Sequence, residues 1–172
     1  MRVKPHRLSV NSRLLLGLLL LLLAGFGIRQ AYTGWNDPPY SGARWRREQQ
    51  ERVFEAVFRY QIAENRHSDQ ICFLSVRKSA PDPALMQRFS AFPYVLPLSP
   101  RFQAAAGNYT DGATGHLALH FWIDQIDWDS DTEVRVAGGG GAANKSGNAG
   151  EFAVLWRRGE WQVLRYEPRV NY

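Results

Sequence analysis

A single cysteine, Cys72, leaves this chain of 172 residues without an intramolecular disulfide. It sits in the apolar run ICFLSV, where a small buried hydrophobe is expected rather than a reactive thiol. Carboxylates are missing from the N-terminal segment, since Asp37 is the first acid. The formal charge of +5 and the pI near 9.7 come from that gap. Residues 1–29 hold Arg2, Lys4, Arg7, Arg13 and Arg29, and the other sixteen basic residues are matched by sixteen acids. A balanced body has no general electrostatic reason to condense on phosphates, so nucleic acid is not an expected partner. The local cluster Arg44, Arg46 and Arg47 still suits an acidic surface.

Long hydrophobic runs are also absent, with one exception. Leu14 to Ile28 is an uncharged, leucine-packed stretch of fifteen residues, preceded by four Lys/Arg and followed by polar sequence. Leucine on every side leaves no polar face for water, which excludes a helix of a soluble core. The run is shorter than the ~20 residues of a typical span, but extension to Tyr32, with Arg13 and Arg29 snorkelling to the interfaces, makes an anchor. No clean small-x-small cleavage site precedes a good mature start; Gly25-Phe26-Gly27 is nearest. The expected organisation is therefore a cytoplasmic basic tail (1–13), a membrane anchor or signal segment (14–32), a Gly/Pro/Asn-rich linker (33–43) and an extracytoplasmic domain (44–172). A cleaved signal and a secreted or periplasmic product is the alternative, and either way the basic flank stays in the cytoplasm.

Within the domain, Val53, Phe54, Val57, Phe58, Ile62 and Ala63 recur at three and four, predicting an amphipathic helix from Glu48 to Asn65. Ile71–Val76 reads as a strand, and Asp82 as the N-cap of a short helix with Pro83 in its first turn. Residues 91–115, with Pro at 93, 97 and 100 followed by Gly, Asn and Asp, read as a long irregular connection. From residue 116 the period becomes two: Leu117, Leu119, Phe121 and Ile123 face one way and His116, His120, Trp122 and Asp124 the other. Thr132–Ala137, Glu151–Arg157 and Trp161–Tyr166 follow as strands, the last two joined at Arg158-Gly159-Glu160 with Gly159 at positive φ. The predicted class is α+β: a long amphipathic helix across a mainly antiparallel sheet, in outline similar to cystatin-like and nuclear-transport-factor-like folds.

Three stretches imitate functional sites. Gly139 to Lys145-Ser146 falls one residue short of a phosphate loop, because Asn144 replaces the second glycine. Strands also flank it, so no helix N-terminus is available for a phosphate, and a glycine-rich hairpin turn is expected instead of a nucleotide site. Asp127, Asp129, Asp131 and Glu133 alternate like calcium ligands, but Thr132 and Gly138 stand where such a loop needs Gly and a bidentate acid. A solvated edge is the expected reading. His116, His120 and Asp124 share one strand face at spacings of four, which is ~13 Å, too far to share one metal unaided. They read as polar residues on the open face of a sheet. No catalytic, cofactor or metal residue is assigned, and no cofactor is implied. Asn108 and Asn144 open glycosylation sequons, which matter only in a eukaryotic secretory route.

The stretches CFLSV, PDPALMQRF, DGATG, IDWDSDTEVRVAGG and SGNAGEFAVLWRRGEWQV, taken in order over residues 50–166, resemble a group of uncharacterised small bacterial exported or membrane-anchored proteins. The resemblance implies an α+β fold, an I-x-W-x-S-D-T-E-V sheet segment and a structural SGN turn, and carries no activity. Aromatic residues are plentiful, with Trp122, Trp128, Trp156 and Trp161 in or beside strands; most are expected in the core, while Trp122 is free to line a concave sheet surface beneath the helix. The functional expectation is a non-enzymatic envelope protein on a single inner-membrane anchor, binding a protein or peptide and no nucleotide. The alternative is a small-molecule-binding or hydrolytic domain with a pocket between the helix and the sheet, for which His116, His120 and Asp124 are the suspects.

Overall fold

The computed structural model describes residues 38–39, 41–67, 69–105, 108–142 and 148–169. The expected basic tail and anchor (1–32), about half of the expected linker (33–37 and 40) and residues 143–147, which include Asn144-Lys145-Ser146, lie outside them. Among the described residues no helix is long and apolar enough to cross a membrane.

The domain is α+β. Helix α1 (Ala43–Asn65) packs on a sheet of order β2-β1-β5-β6-β7-β8, built from β1 (Ile71–Val76), β2 (Val95–Pro97), β5 (Ala118–Trp128), β6 (Glu133–Gly141), β7 (Asn148–Arg157) and β8 (Glu160–Pro168). β1 runs parallel to β2 and β5, and the other pairs are antiparallel. A one-turn helix α2 (Pro83–Gln87) links β1 to β2, and β3 (Phe102–Ala105) and β4 (Asn108–Asp111) form a separate hairpin. Asp82 caps α2 as expected, its Oδ1 accepting the Ala84 N–H at 2.8 Å.

Helix α1 starts at Ala43, five residues before the expected Glu48 and at the last residue of the expected linker. Its N-cap, Gly42, has no side chain to offer, so the first turn takes its acceptor from the β5–β6 turn. The Gly42 N–H donates to Asp131 Oδ2 (2.9 Å), Arg46 Nε to Asp131 Oδ1 (2.8 Å) and Trp45 Nε1 to the Asp131 carbonyl (2.9 Å). The Asp131 carboxylate thus sits at the positive end of the helix, taking one backbone donor from the N-cap and one side-chain donor from the first turn. The buried face is Trp45, Gln49, Val53, Phe54, Val57, Phe58 and Gln61. Two glutamines lie on it, while Ala63 is exposed and Ile62 only half-buried, against the apolar expectation for both. Each glutamine ties helix to sheet: Gln49 Oε1 accepts from Trp161 Nε1 (3.2 Å), and Gln61 Nε2 donates to the Gly139 carbonyl (2.7 Å).

The expected alternation in β5 holds for Leu119, Phe121 and Ile123, which face α1, whereas Leu117 lies before the strand and is exposed. A bulge at Asp124 then shifts the register, so that Ile126 and Trp128 carry the core face onward. The same device recurs in β8, where the bulge falls at Leu164 between Val163 and Arg165. The β7–β8 turn is Arg158-Gly159, both at positive φ (53° and 81°), with Arg157 paired to Glu160 as a two-residue hairpin requires.

Three expectations are corrected. The stretch 91–115 is not an irregular connection but contains β2, β3 and β4. It is organised by Asp111, a fully buried carboxylate that accepts from Arg101 Nε (2.9 Å) and Nη2 (2.7 Å), Thr114 Oγ1 (2.7 Å) and the Ala113 N–H (3.3 Å). The Arg101 and Thr114 hydrogen bonds hold its carboxyl well below the usual carboxylate range. Glycines 138–141 are not a hairpin turn: they form the end of β6, opposite His120 to Ile123 of β5. Finally, the acidic stretch 127–133 is not a sheet edge, because β5 and β6 are interior strands.

Cys72 is fully buried, and burial pushes its thiol up to about 12 against the opposing pull of the Arg66 guanidinium. It is a protonated thiol at neutral pH. A thiol reagent such as iodoacetamide is expected to leave the native chain unmodified over hours and to label it fully in denaturant, as read by mass spectrometry.

Candidate functional site

The residues suspected from sequence do not converge. His116 is exposed in the turn before β5, and Asp124 is the exposed bulge residue. His120 points away from α1, to the far side of the sheet. That side is not open around His120: the β3–β4 hairpin lays Phe102 and Tyr109 over it, with Phe102 5.3 Å from the buried ring of Phe73 and 5.0 Å from His120. Trp122 joins this second aromatic cluster, 5.5 Å from His120, so it does not line a surface beneath the helix.

His120 has a partner that sequence reading missed. Ser75 Oγ lies 2.8 Å from His120 Nε2. Strand pairing brings them together, since parallel β1 and β5 place Phe73 opposite His120 and Ser75 opposite Trp122. No spacing in a single sequence encodes that register. Ser75 is 1% exposed, which closes off approach to a nucleophile, and burial pulls the His120 imidazole below its ordinary range, so it is neutral at pH 7. In this setting the pair satisfies two polar groups in an aromatic environment.

The acidic stretch is likewise dispersed. Asp127 accepts from Gln125 Nε2 (2.8 Å), Asp129 from Arg135 Nε (2.8 Å) and Asp131 from Gly42 and Arg46. Among the described residues no three His, Cys, Asp or Glu side chains gather in a way that could hold a metal ion. The bonds to Arg135 and to Arg46 hold the Asp129 and Asp131 carboxyls below the usual range.

The core between α1 and the sheet is filled by Phe54, Val57, Phe58, Leu74, Phe121 and their neighbours. Openings remain at its margins. The first, about 330 Å³, lies where the outer side of α1 meets the β7–β8 hairpin. Arg52, Glu55 and Arg59 of α1, Arg88, and Trp156 and Trp161 of the hairpin line it, with Glu160 at the tip. Glu55 is shared by Arg59 (2.9 Å) and Arg88 (3.2 Å), whereas Arg52 has no ion pair or hydrogen bond among the described residues. The two indoles belong to a run of four: Trp45 to Trp156 at 5.2 Å, Trp156 to Trp161 at 5.4 Å, and Trp161 to Trp128 at 5.6 Å. Trp161 Nε1 is spent on Gln49, but Trp156 Nε1 is a buried donor without an acceptor.

A second opening, about 260 Å³, lies between Arg59, Ile62 and Ala63 of α1 and the rings of Phe89, Phe92 and Tyr94. Cations already cap these rings: Arg59 stands 5.3 Å from Phe89 and 5.2 Å from Phe92, and Arg66 is 3.5 Å from the centre of Tyr94. The third, about 220 Å³, is a wedge where the C-terminal end of α1 leaves the sheet. Tyr60, Gln61 and Glu64 form its roof and Gly140, Phe152 and Tyr166 its floor. The glycine run that imitates a phosphate loop thus contributes a side-chain-free patch under the helix. A Cβ on Gly140 would strike the Phe121 ring.

No protein-family model, no curated protein and no solved structure matches the chain.

Proposed function

We propose that this chain is a non-enzymatic binding module of the bacterial envelope. In this reading the leucine-rich run anchors it in the inner membrane, with 1–13 in the cytoplasm and 44–172 outside, and the domain recognises an acidic segment of a partner protein. The apolar run with its one-sided basic flank and the motif resemblance to small exported proteins support the address. The long helix on a sheet is the outline that cystatin-like and nuclear-transport-factor-like folds share, an analogy of shape that carries no chemistry.

One observation carries the reading of the working surface. The cleft between α1 and the β7–β8 hairpin combines two indole rings with three guanidinium groups, and Arg52 lacks a carboxylate partner. Tryptophan and arginine are the residues on which binding energy concentrates at protein interfaces. Arginine forks also match carboxylates in a planar, paired geometry. The filled helix–sheet core leaves recognition to such marginal clefts.

The test uses the full chain in detergent micelles and two synthetic nonapeptides, one of Asp and Glu around a central Phe, the other with Lys replacing each acid. Tryptophan fluorescence is expected to change saturably with the acidic peptide alone. Arg52→Glu should weaken that binding at least about tenfold, the worth of ~1.4 kcal/mol. Equal responses to both peptides, no response, or indifference to Arg52→Glu would overturn the proposal. The address is tested separately by a C-terminal alkaline phosphatase fusion, which is active only outside the cytoplasm.

A further inference from the structure

The wedge at the C-terminal end of α1 differs in chemistry from the other two clefts. Both of those carry arginine, whereas the wedge is lined by no Lys, Arg or His. Its polar side chains are neutral or acidic, and the amide donor of Asn65 is already committed to the Gln61 carbonyl (2.8 Å). Glu64 supplies a carboxylate, and Gln61 supplies an amide whose orientation is fixed. Since Nε2 donates to the Gly139 carbonyl (2.7 Å), the other atom must be the oxygen, and Gln61 Oε1 is buried with no hydrogen-bond partner. The residue is only 2% exposed, so the structure holds an enclosed acceptor in want of a donor.

Two further features favour a positive donor. The cleft lies at the negative end of the α1 dipole, and the last turn of that helix contains no basic residue to offset it. Three rings form a continuous wall, with Tyr60 6.0 Å from Phe152 and Phe152 4.7 Å from Tyr166. Ring faces attract cations, and in the cleft lined by Phe89 and Phe92 Arg59 already does this. Gly140 contributes backbone to the floor, since the space a side chain would take there is filled by the Phe121 ring.

We propose that this wedge binds an alkylammonium group, which donates to Gln61 Oε1 and Glu64 and rests against the rings of Tyr60, Phe152 and Tyr166. A volume of about 220 Å³ admits an amine head with a short apolar stem. A lysine side chain and a free aliphatic amine share this chemistry. The proposal is independent of the arginine-lined cleft, and neither fails with the other.

The experiment is saturation-transfer difference NMR on the full chain in detergent micelles, with butylammonium as probe and butan-1-ol as its neutral isostere. Saturation transfer to butylammonium but not to butan-1-ol is expected. Glu64→Gln, at an exposed position that the fold tolerates, should weaken the amine about five- to tenfold, as loss of one opposite charge beside a cation requires. Tyr166→Leu should weaken it as well, while Arg52→Glu should leave it unchanged. Tighter binding of N-acetyl-lysine methylamide than of butylammonium would identify a peptide lysine as the source, and the reverse order a free amine. Equal signals from amine and alcohol, or an amine signal indifferent to Glu64→Gln, would overturn the proposal and leave Gln61 Oε1 as the site of a trapped water only.

Discussion

Gly138→Ala is expected to destabilise the domain by about 3 kcal/mol, at the upper end of what an overfilled interior costs. A Cβ at this position would run into the Trp122 carbonyl and the Ile123 Cα of the paired strand, which are backbone atoms and cannot rotate aside. Relief requires β5 and β6 to separate just before the Asp124 bulge, where their hydrogen bonds are already interrupted. The measurement is urea unfolding of the variant beside the parent, followed by tryptophan fluorescence. Gly140→Ala is the informative neighbour. Its Cβ would meet the ring of Phe121, a fully buried side chain whose displacement disturbs the core but leaves the strand pairing in place, so the loss should be smaller. Equal stability of Gly138→Ala and the parent would mean that the close approach of the two strands is not what requires glycine here.

Phe58→Ala should cost about 4 kcal/mol, within the range for a large buried aromatic whose cavity relaxes only partly. Phe58 is fully buried at the centre of the α1 face and stands 6.5 Å from the ring of Phe89. Its removal leaves a cavity between α1 and the sheet beside Val57 and Phe54, with the Asp131 contacts and Gln61 still holding the two ends. Phe58→Leu, which retains most of the volume, should recover more than half of the loss. Thermal unfolding by circular dichroism separates the two variants. A Phe58→Ala chain as stable as the parent would show that α1 does not rest on the sheet through this residue.

Much of the fold was legible because local rules and tertiary burial agree. The helical spacing of Val53, Phe54, Val57 and Phe58, the Asp82-Pro83 start of α2 and the Arg158-Gly159 turn are each decided by neighbours in sequence. What sequence hid was non-local. The strand after residue 116 continues to Trp128, but its apolar residues fall at 119, 121 and 123 and then at 126 and 128. That slip of parity marks a bulge, and the slip from Trp161 and Val163 to Tyr166 marks another. Read as simple alternation, the first of these truncates its strand near Asp124. Gln49 and Gln61 were invisible for a different reason, since a polar residue reads as solvated unless the acceptor or donor awaiting it is known.

The candidate site was less legible than the fold. Glycines 138–141 resemble turn residues because strands are poor in glycine, and only the close approach of β5, through the Trp122 carbonyl and the Phe121 ring, explains Gly138 and Gly140. The wedge joins one helix end to residues 140, 152 and 166, which no spacing rule connects. The arginine-lined cleft likewise combines Arg52 and Arg88 with a hairpin more than sixty residues away in the chain. The individual tryptophans were conspicuous, but their contiguity depends on the sheet.

The dependence of α1 on Asp131 bears on the order in which this chain can mature. Synthesis proceeds from the N-terminus, so the helix is finished while the residue that seals its first turn, 89 positions downstream, does not yet exist. Until the ribosome has delivered the β5–β6 turn, the opening turn of α1 frays and its register stays unfixed. Stable docking therefore belongs to the closing stage of folding, when such distant partners first meet, and the nascent helix spends that interval within reach of chaperones.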